Sequence, residues 1–151
     1  MTMTSIPPHR LWIGHVGDVR DAKRLFDEGV QAVVELAVEE PPCSPPREMI
    51  HLRFPLEDTG GNRAGLLFLA VSSLATLLKM ALPTLACCGS GRSRSPAVAA
   101  AALALVHGSS PVEMLEAIGR HHPCDVSPAL WSELIRSLSL NSAGVFQGVR
   151  P

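Results

Sequence analysis

Cys88 stands six positions before Arg94 in the run Cys87-Cys88-Gly89-Ser90-Gly91-Arg92-Ser93-Arg94-Ser95, with mostly small residues between them. That spacing suits a loop that curls around an oxyanion. Gly89 and Gly91 let successive backbone N–H groups turn inward at the start of a helix, where the dipole adds to their attraction for negative charge. Arg94 returns to the same point in space. Its planar fork can hold two phosphoryl oxygens at once, and the cluster of donors favours a thiolate over a thiol at Cys88. Gly89, Ser90, Gly91, Arg92, Ser93 and Arg94 are therefore expected to bind phosphate or a sulfate-like anion. Cys88 is expected to attack it.

Displacement at phosphorus also needs an acid for the departing oxygen, donors for the equatorial oxygens, and a route to hydrolyse the thiophosphate. Arg94 and the loop amides supply the donors. Asp58 is the candidate acid, in the glycine-flanked loop Glu57-Asp58-Thr59-Gly60-Gly61 after a predicted strand. An exposed turn aspartate that caps the next helix is the competing reading of Asp58. Strand alternation turns Glu57 to the opposite side. The Ser95 hydroxyl can bond the cysteine sulfur and ease its departure, or simply cap the helix. Arg92 should point to solvent, as pocket-mouth charge or an ordinary solvated arginine.

The chain has 151 residues, 13 basic and 14 acidic side chains, and a formal charge of -1. One domain is expected over residues 1–151, with a core of about 8–138 and a tail of about 139–151. Near-neutrality argues against a nucleic-acid partner. The start of the chain lacks a secretory pattern, and the uncharged run from Ala64 to Leu78 is too short to span a membrane comfortably, so it reads as a buried helix. Four cysteines without an export signal are expected to remain thiols in the cytoplasm. A protective disulfide from Cys43 or Cys87 to the nucleophile is chemically conceivable, against packing or surface thiols as the plain alternative.

The pattern alternates strands with helices. Leu11 to Gly14 reads as a strand, Asp18 as the N-cap of a helix ending at Gly29, and Val30 to Val38 and Met49 to Leu56 as further strands. Arg63 to Met80 reads as a helix, Pro83 to Cys87 as a strand, and Ser95 to His107 as an alanine-rich helix. Helices are also expected over Pro111 to Arg120 and Pro128 to Leu138. This predicts an α/β fold, a mainly parallel central sheet flanked by helices, with ligands at the carboxyl ends of the strands. The proline-containing loop between Glu39 and Glu48 is either part of the pocket rim or a plain surface connector.

The chain resembles the dual-specificity branch of the cysteine-based protein tyrosine phosphatases, whose signature is His-Cys-x-x-Gly-x-x-Arg-Ser/Thr. Cys88, Gly91, Arg94 and Ser95 match it, and the likeness covers roughly residues 8–138. Leu11-Trp12-Ile13-Gly14 looks like the family's opening strand and Pro55-Leu56-Glu57-Asp58 like its general-acid loop. The resemblance implies phosphomonoester hydrolysis through a phosphocysteine, without metal or cofactor. It casts Cys88 as nucleophile, Arg94 as oxyanion clamp, Asp58 as acid then base, and Ser95 as an aid to breakdown. The expected substrate is a phosphorylated protein or small phosphomonoester; relatives also act on phosphoinositides or RNA 5′-phosphates.

Cys87 departs from the signature, standing where the family places a histidine that orders the loop. A softer loop or a less readily ionised sulfur is the expected consequence. The substitution keeps open a catalytically weak reader that binds phosphorylated partners, although such a reader has no need of both Cys88 and Asp58. A rhodanese-like sulfurtransferase fits the offsets poorly. A zinc site from His121, His122 and Cys124 with Cys87 or Cys88 lacks a recognised ligand spacing, and His121, His122 and Cys124 read as solvated turn residues.

Overall fold

Strands β3 (Ala32–Ala37) and β5 (Thr84–Cys88) are buried along their whole lengths, as their apolar runs predict for strands covered on both faces. They form the middle of the sheet with β2 (Leu11–His15), and β4 (Ile50–Leu56) lies beyond β3. In this computed structural model, which describes residues 3–144, the strand order is β1-β2-β5-β3-β4, with β1 at Thr4–Ser5. The β2/β5, β5/β3 and β3/β4 pairings are parallel; only β1, absent from the sequence reading, pairs antiparallel with β2. Four parallel strands place their following loops at one end of the sheet. His15 lies opposite Cys88 there, and Glu35 opposite Cys87.

Alternation along β5 divides the core into two layers. Ala86 and Cys88 face helices α3 (Ala64–Lys79), α4 (Arg94–His107), α5 (Pro111–Gly119) and α6 (Pro128–Ser142), whose apolar residues form the larger cluster. Leu85 and Cys87 face the other way, towards Met3, Val19, Leu25, Val30, Val33 and Met49. Helix α4 is buried from Arg94 to Ala104, and its alanines let the surrounding elements approach closely. An all-round buried helix at the end of the central strand is a rigid base for the loop between them.

Three boundaries differ from the sequence reading. The first predicted helix is two short ones, α1 (Val16–Val19) and α2 (Ala22–Asp27), capped by His15 and Asp21. Asp18 is not an N-cap but lies inside α1, where its carboxylate accepts from the N–H groups of His15 at 2.9 Å and Met3 at 3.2 Å. Helix α6 continues to Ser142, so part of the predicted tail is helical. Residues 145–151 of that tail, and residues 1–2, lie outside the described residues.

Candidate active site

The sulfur of Cys88 lies at the end of β5, buried, 3.1 Å from the Ser95 hydroxyl in the first turn of α4. Ser93, not Ser95, occupies the N-cap position. Ser95 is thereby free to address the sulfur, with the Gly14 carbonyl 3.5 Å from its oxygen. Between these ends the chain turns through Gly91 at φ +75°, and a Cβ there would come within 2.8 Å of the Gly14 carbonyl oxygen. Conformation and space both require glycine at this position. Gly89 does not adopt a positive φ, so the curl rests on Gly91. Ser90 and Arg92 are exposed, as read for Arg92, while Ser93 and Arg94 are buried.

Arg94 reaches back over the loop. Its Nη1 donates to the Leu56 carbonyl at 2.9 Å and to Glu39 Oε2 at 2.6 Å, and its Nη2 donates to Glu39 Oε1. The bonds to Glu39 raise the Arg94 pKa against the opposing effect of burial, with further contributions from the charges of Glu39, Cys88 and Asp58. Sulfur, guanidinium and carboxyl thus share one electrostatic neighbourhood. The Nε of Arg94 is buried with no partner among the described residues. A charged donor left in that condition is costly, and an anion seated in the loop would satisfy it.

Asp58 caps no helix. Its Oδ1 accepts from the Ser93 hydroxyl, whose oxygen also accepts the Ser127 N–H at 2.9 Å. The rest of its loop is tied to α6: Glu133 accepts the Gly61 N–H at 2.8 Å and the Asn62 side-chain amide at 3.0 Å, and Asn62 also bonds both backbone groups of Glu57 at 2.8 Å. Glu57 itself is exposed. Asn62 and Glu133 had no motif to mark them. They become legible only once α6 is packed beside the loop.

His122 was read as solvated and is instead 2% exposed. Its Nε2–H donates to the Gly91 carbonyl at 2.6 Å, which leaves Nδ1 to accept the Thr4 hydroxyl at 2.9 Å. Next to it the Asp125 N–H donates to the Arg92 carbonyl at 2.8 Å. With the Ser127 bond to Ser93, the segment between α5 and α6 holds three successive residues of the loop. His121 is exposed, and Cys124 donates to the His122 carbonyl at 3.3 Å, so this trio is not gathered around a metal.

Cys87 points away from Cys88, into the smaller apolar cluster, where Cys43 packs beside it. Burial raises its pKa, with contributions from Cys43, Glu35, Cys88 and Asp18. Burial and the Glu35 carboxylate push the Cys43 thiol up to about 12. Neither thiol is directed at the side of the sheet that Cys88 faces. The protective disulfide considered from sequence therefore has no preformed geometry.

No family model matches the chain, and no curated protein sequence is significantly similar to it. Solved structures are. Human DUSP28 superposes with a TM-score of 0.80 at 22% identity, over 93% of this chain and 99% of that one. A mouse putative dual specificity phosphatase complexed with zinc tungstate gives 0.80 at 21% identity, over 95% and 91%. The human tyrosine phosphatase-like serine/threonine/tyrosine-interacting protein gives 0.77 at 15% identity, over 93% and 98%. The fold is that of the dual-specificity phosphatases.

Proposed function

We propose that the chain is a phosphomonoester hydrolase that acts on phosphorylated proteins through a phosphocysteine intermediate. The observation that carries this reading is geometric: the buried Cys88 sulfur and the buried Arg94 stand at the two ends of one loop turned at Gly91, Ser95 lies 3.1 Å from the sulfur, and the Arg94 Nε has no partner among the described residues. In the first step the Cys88 sulfur attacks phosphorus, the S–P bond forms, and the ester O–P bond breaks while Asp58 gives its proton to the leaving oxygen. Arg94 and the amides of residues 89–94 hold the equatorial oxygens throughout. In the second step water attacks phosphorus and passes a proton to Asp58, and the S–P bond breaks. Ser95, 3.1 Å from the sulfur, donates a hydrogen bond to the departing thiolate.

This reading includes a single catalytic domain, no metal or cofactor, and a cytoplasmic setting in keeping with four unpaired thiols. No helix among the described residues is long and apolar enough to cross a membrane. Hydrolysis of a small aryl phosphate tests the proposal. Cys88→Ser is expected to abolish turnover, and Asp58→Ala to slow it by about 100-fold or more, the range for a lost general acid.

Two observations favour a second reading, a reader of phosphorylated partners. The Glu39 carboxylate already sits on Arg94, and a tyrosine phosphatase-like interacting protein shares the fold. Tungstate binding without turnover at any pH would select the reader over the enzyme.

A further inference from the structure

The far end of α4 carries a second group of side chains with ligating chemistry. His107 is the last residue of that helix, and the imidazole of His9, just before β2, lies against it with ring centroids 5.1 Å apart and planes tilted by 47°. Neither ring hydrogen-bonds to another described residue. His9 is half-buried and His107 exposed, so the pair is shielded on one side and open to solvent on the other.

Both rings stand on the wall of a cavity of about 240 Å³, which Leu78, Ala81, Leu103 and Val106 also line. Those four come from the ends of α3 and α4. A helix C-terminus presents roughly half a negative charge on its unpaired carbonyls, and two such ends at one cavity favour a cation there. Burial, and then the charge of His107, hold the His9 pKa below 6.5. Its lone pair is therefore available at neutral pH. The opposing charges are Arg10, on the same wall, and Lys79, at the end of α3; both are exposed, where solvent screens them.

The ring separation decides what the pair can hold. Two imidazoles on one tetrahedral Zn²⁺, with Zn–N bonds of about 2.0–2.1 Å, have ring centres about 5.2 Å apart, whereas neighbouring octahedral positions bring them to about 4.5 Å. The 5.1 Å separation matches the tetrahedral ion. No third histidine, cysteine or carboxylate is gathered with them among the described residues, so water fills the other positions.

We propose that His9 and His107 form a zinc-binding site whose ion clamps the segment before β2 onto the end of α4. Arg94 lies at the other end of that helix, about 20 Å away along its axis, so the ion has no part in chemistry at Cys88. The inference does not rest on the hydrolase reading. Two protein ligands make this an exchangeable site, unlike a closed structural one with four.

Calorimetric titration of the full chain with Zn²⁺ tests the site, with His9→Gln and His107→Gln in parallel. The native chain should bind one equivalent through the pair, and each variant should lose about tenfold or more of that affinity. Mg²⁺, which takes oxygen ligands, should not compete. Melting curves read the clamp itself: Zn²⁺ at about 100 times its dissociation constant should raise the native midpoint by about 5–10 °C and leave both variants unmoved. Undiminished binding in both variants would place the ion on the thiols and overturn the proposal. So would loss in only one variant, which marks a lone imidazole, or no binding by the native chain at about 1 mM Zn²⁺.

Discussion

At the scale of single residues, the loop that follows Cys88 is held by a histidine, though not one next to it in sequence. His122 arrives from the segment after α5 and holds the Gly91 carbonyl at 2.6 Å, on the turn where only glycine fits. The softness expected from Cys87 is thereby offset by bracing from outside the loop. His122→Ala would leave the Gly91 carbonyl and the Thr4 hydroxyl without their partner, a loss of about 1–3 kcal/mol. Tungstate affinity and aryl phosphate turnover should both fall, by about tenfold for each 1.4 kcal/mol that reaches the anion site. His122→Gln, whose side-chain amide can donate to the same carbonyl, should recover much of the affinity. Loss of thermal stability with unchanged affinity would limit His122 to packing. The placement of Cys88, Gly91, Arg94 and Ser95 around one loop was legible because it is encoded in local spacing. His122 was not, because its partner is 31 residues away and its sequence neighbours carry no periodicity.

At the scale of elements, the loop carrying the proposed acid Asp58 has no stiffness of its own. Gly60 and Gly61 both take positive φ, and the loop's position is imposed by Glu133 on α6 and by Asn62 across its neck. Glu133→Gln removes a charged acceptor of the Gly61 and Asn62 donors while leaving α6 intact. A charged hydrogen bond contributes about 1.5–3 kcal/mol, so turnover should drop roughly tenfold or more as Asp58 loses its placement. Tungstate affinity, which the proposed site owes to Arg94 and the loop amides, should not change. A matched fall in both would show that α6 supports the loop of residues 89–94 rather than the loop of Asp58. The strands and helices were readable from valine-rich runs, the alanine-rich stretch and glycine stops. Their ends moved where capping decided: His15 and Asp21 took the caps that Asp18 was expected to supply, and the apolar spacing of Leu134 and Leu138 carried α6 past its predicted end.

At the scale of the whole molecule, the parallel sheet brings the loops after β3, β4 and β5 to one end, and the same packing buries a second polar group behind the site. Glu35 on β3 is 2% exposed, faces His51 on β4, accepts the Cys43 N–H at 2.9 Å, and neighbours Cys87 on β5. Nothing in the sequence set Glu35 apart from the apolar strand around it. Burial alone would raise its pKa from 4.5, but the bonds from Cys43 and the charge of His51 more than reverse this and lower it. A carboxyl whose folded pKa lies below its unfolded one contributes stability that is present above the unfolded value and lost as pH falls through the folded value. Native stability should therefore decline below about pH 4.5, in part through this group. Glu35→Gln can still accept the Cys43 N–H through its amide oxygen, but it cannot titrate. Urea midpoints measured between about pH 3.5 and 7 should show the variant less stable at neutral pH and converging on the native chain as the medium becomes acidic. Parallel curves with a constant offset would mean that the cost of Glu35→Gln is steric, and that the connector carrying Glu39 and Cys43 is anchored by shape rather than by charge.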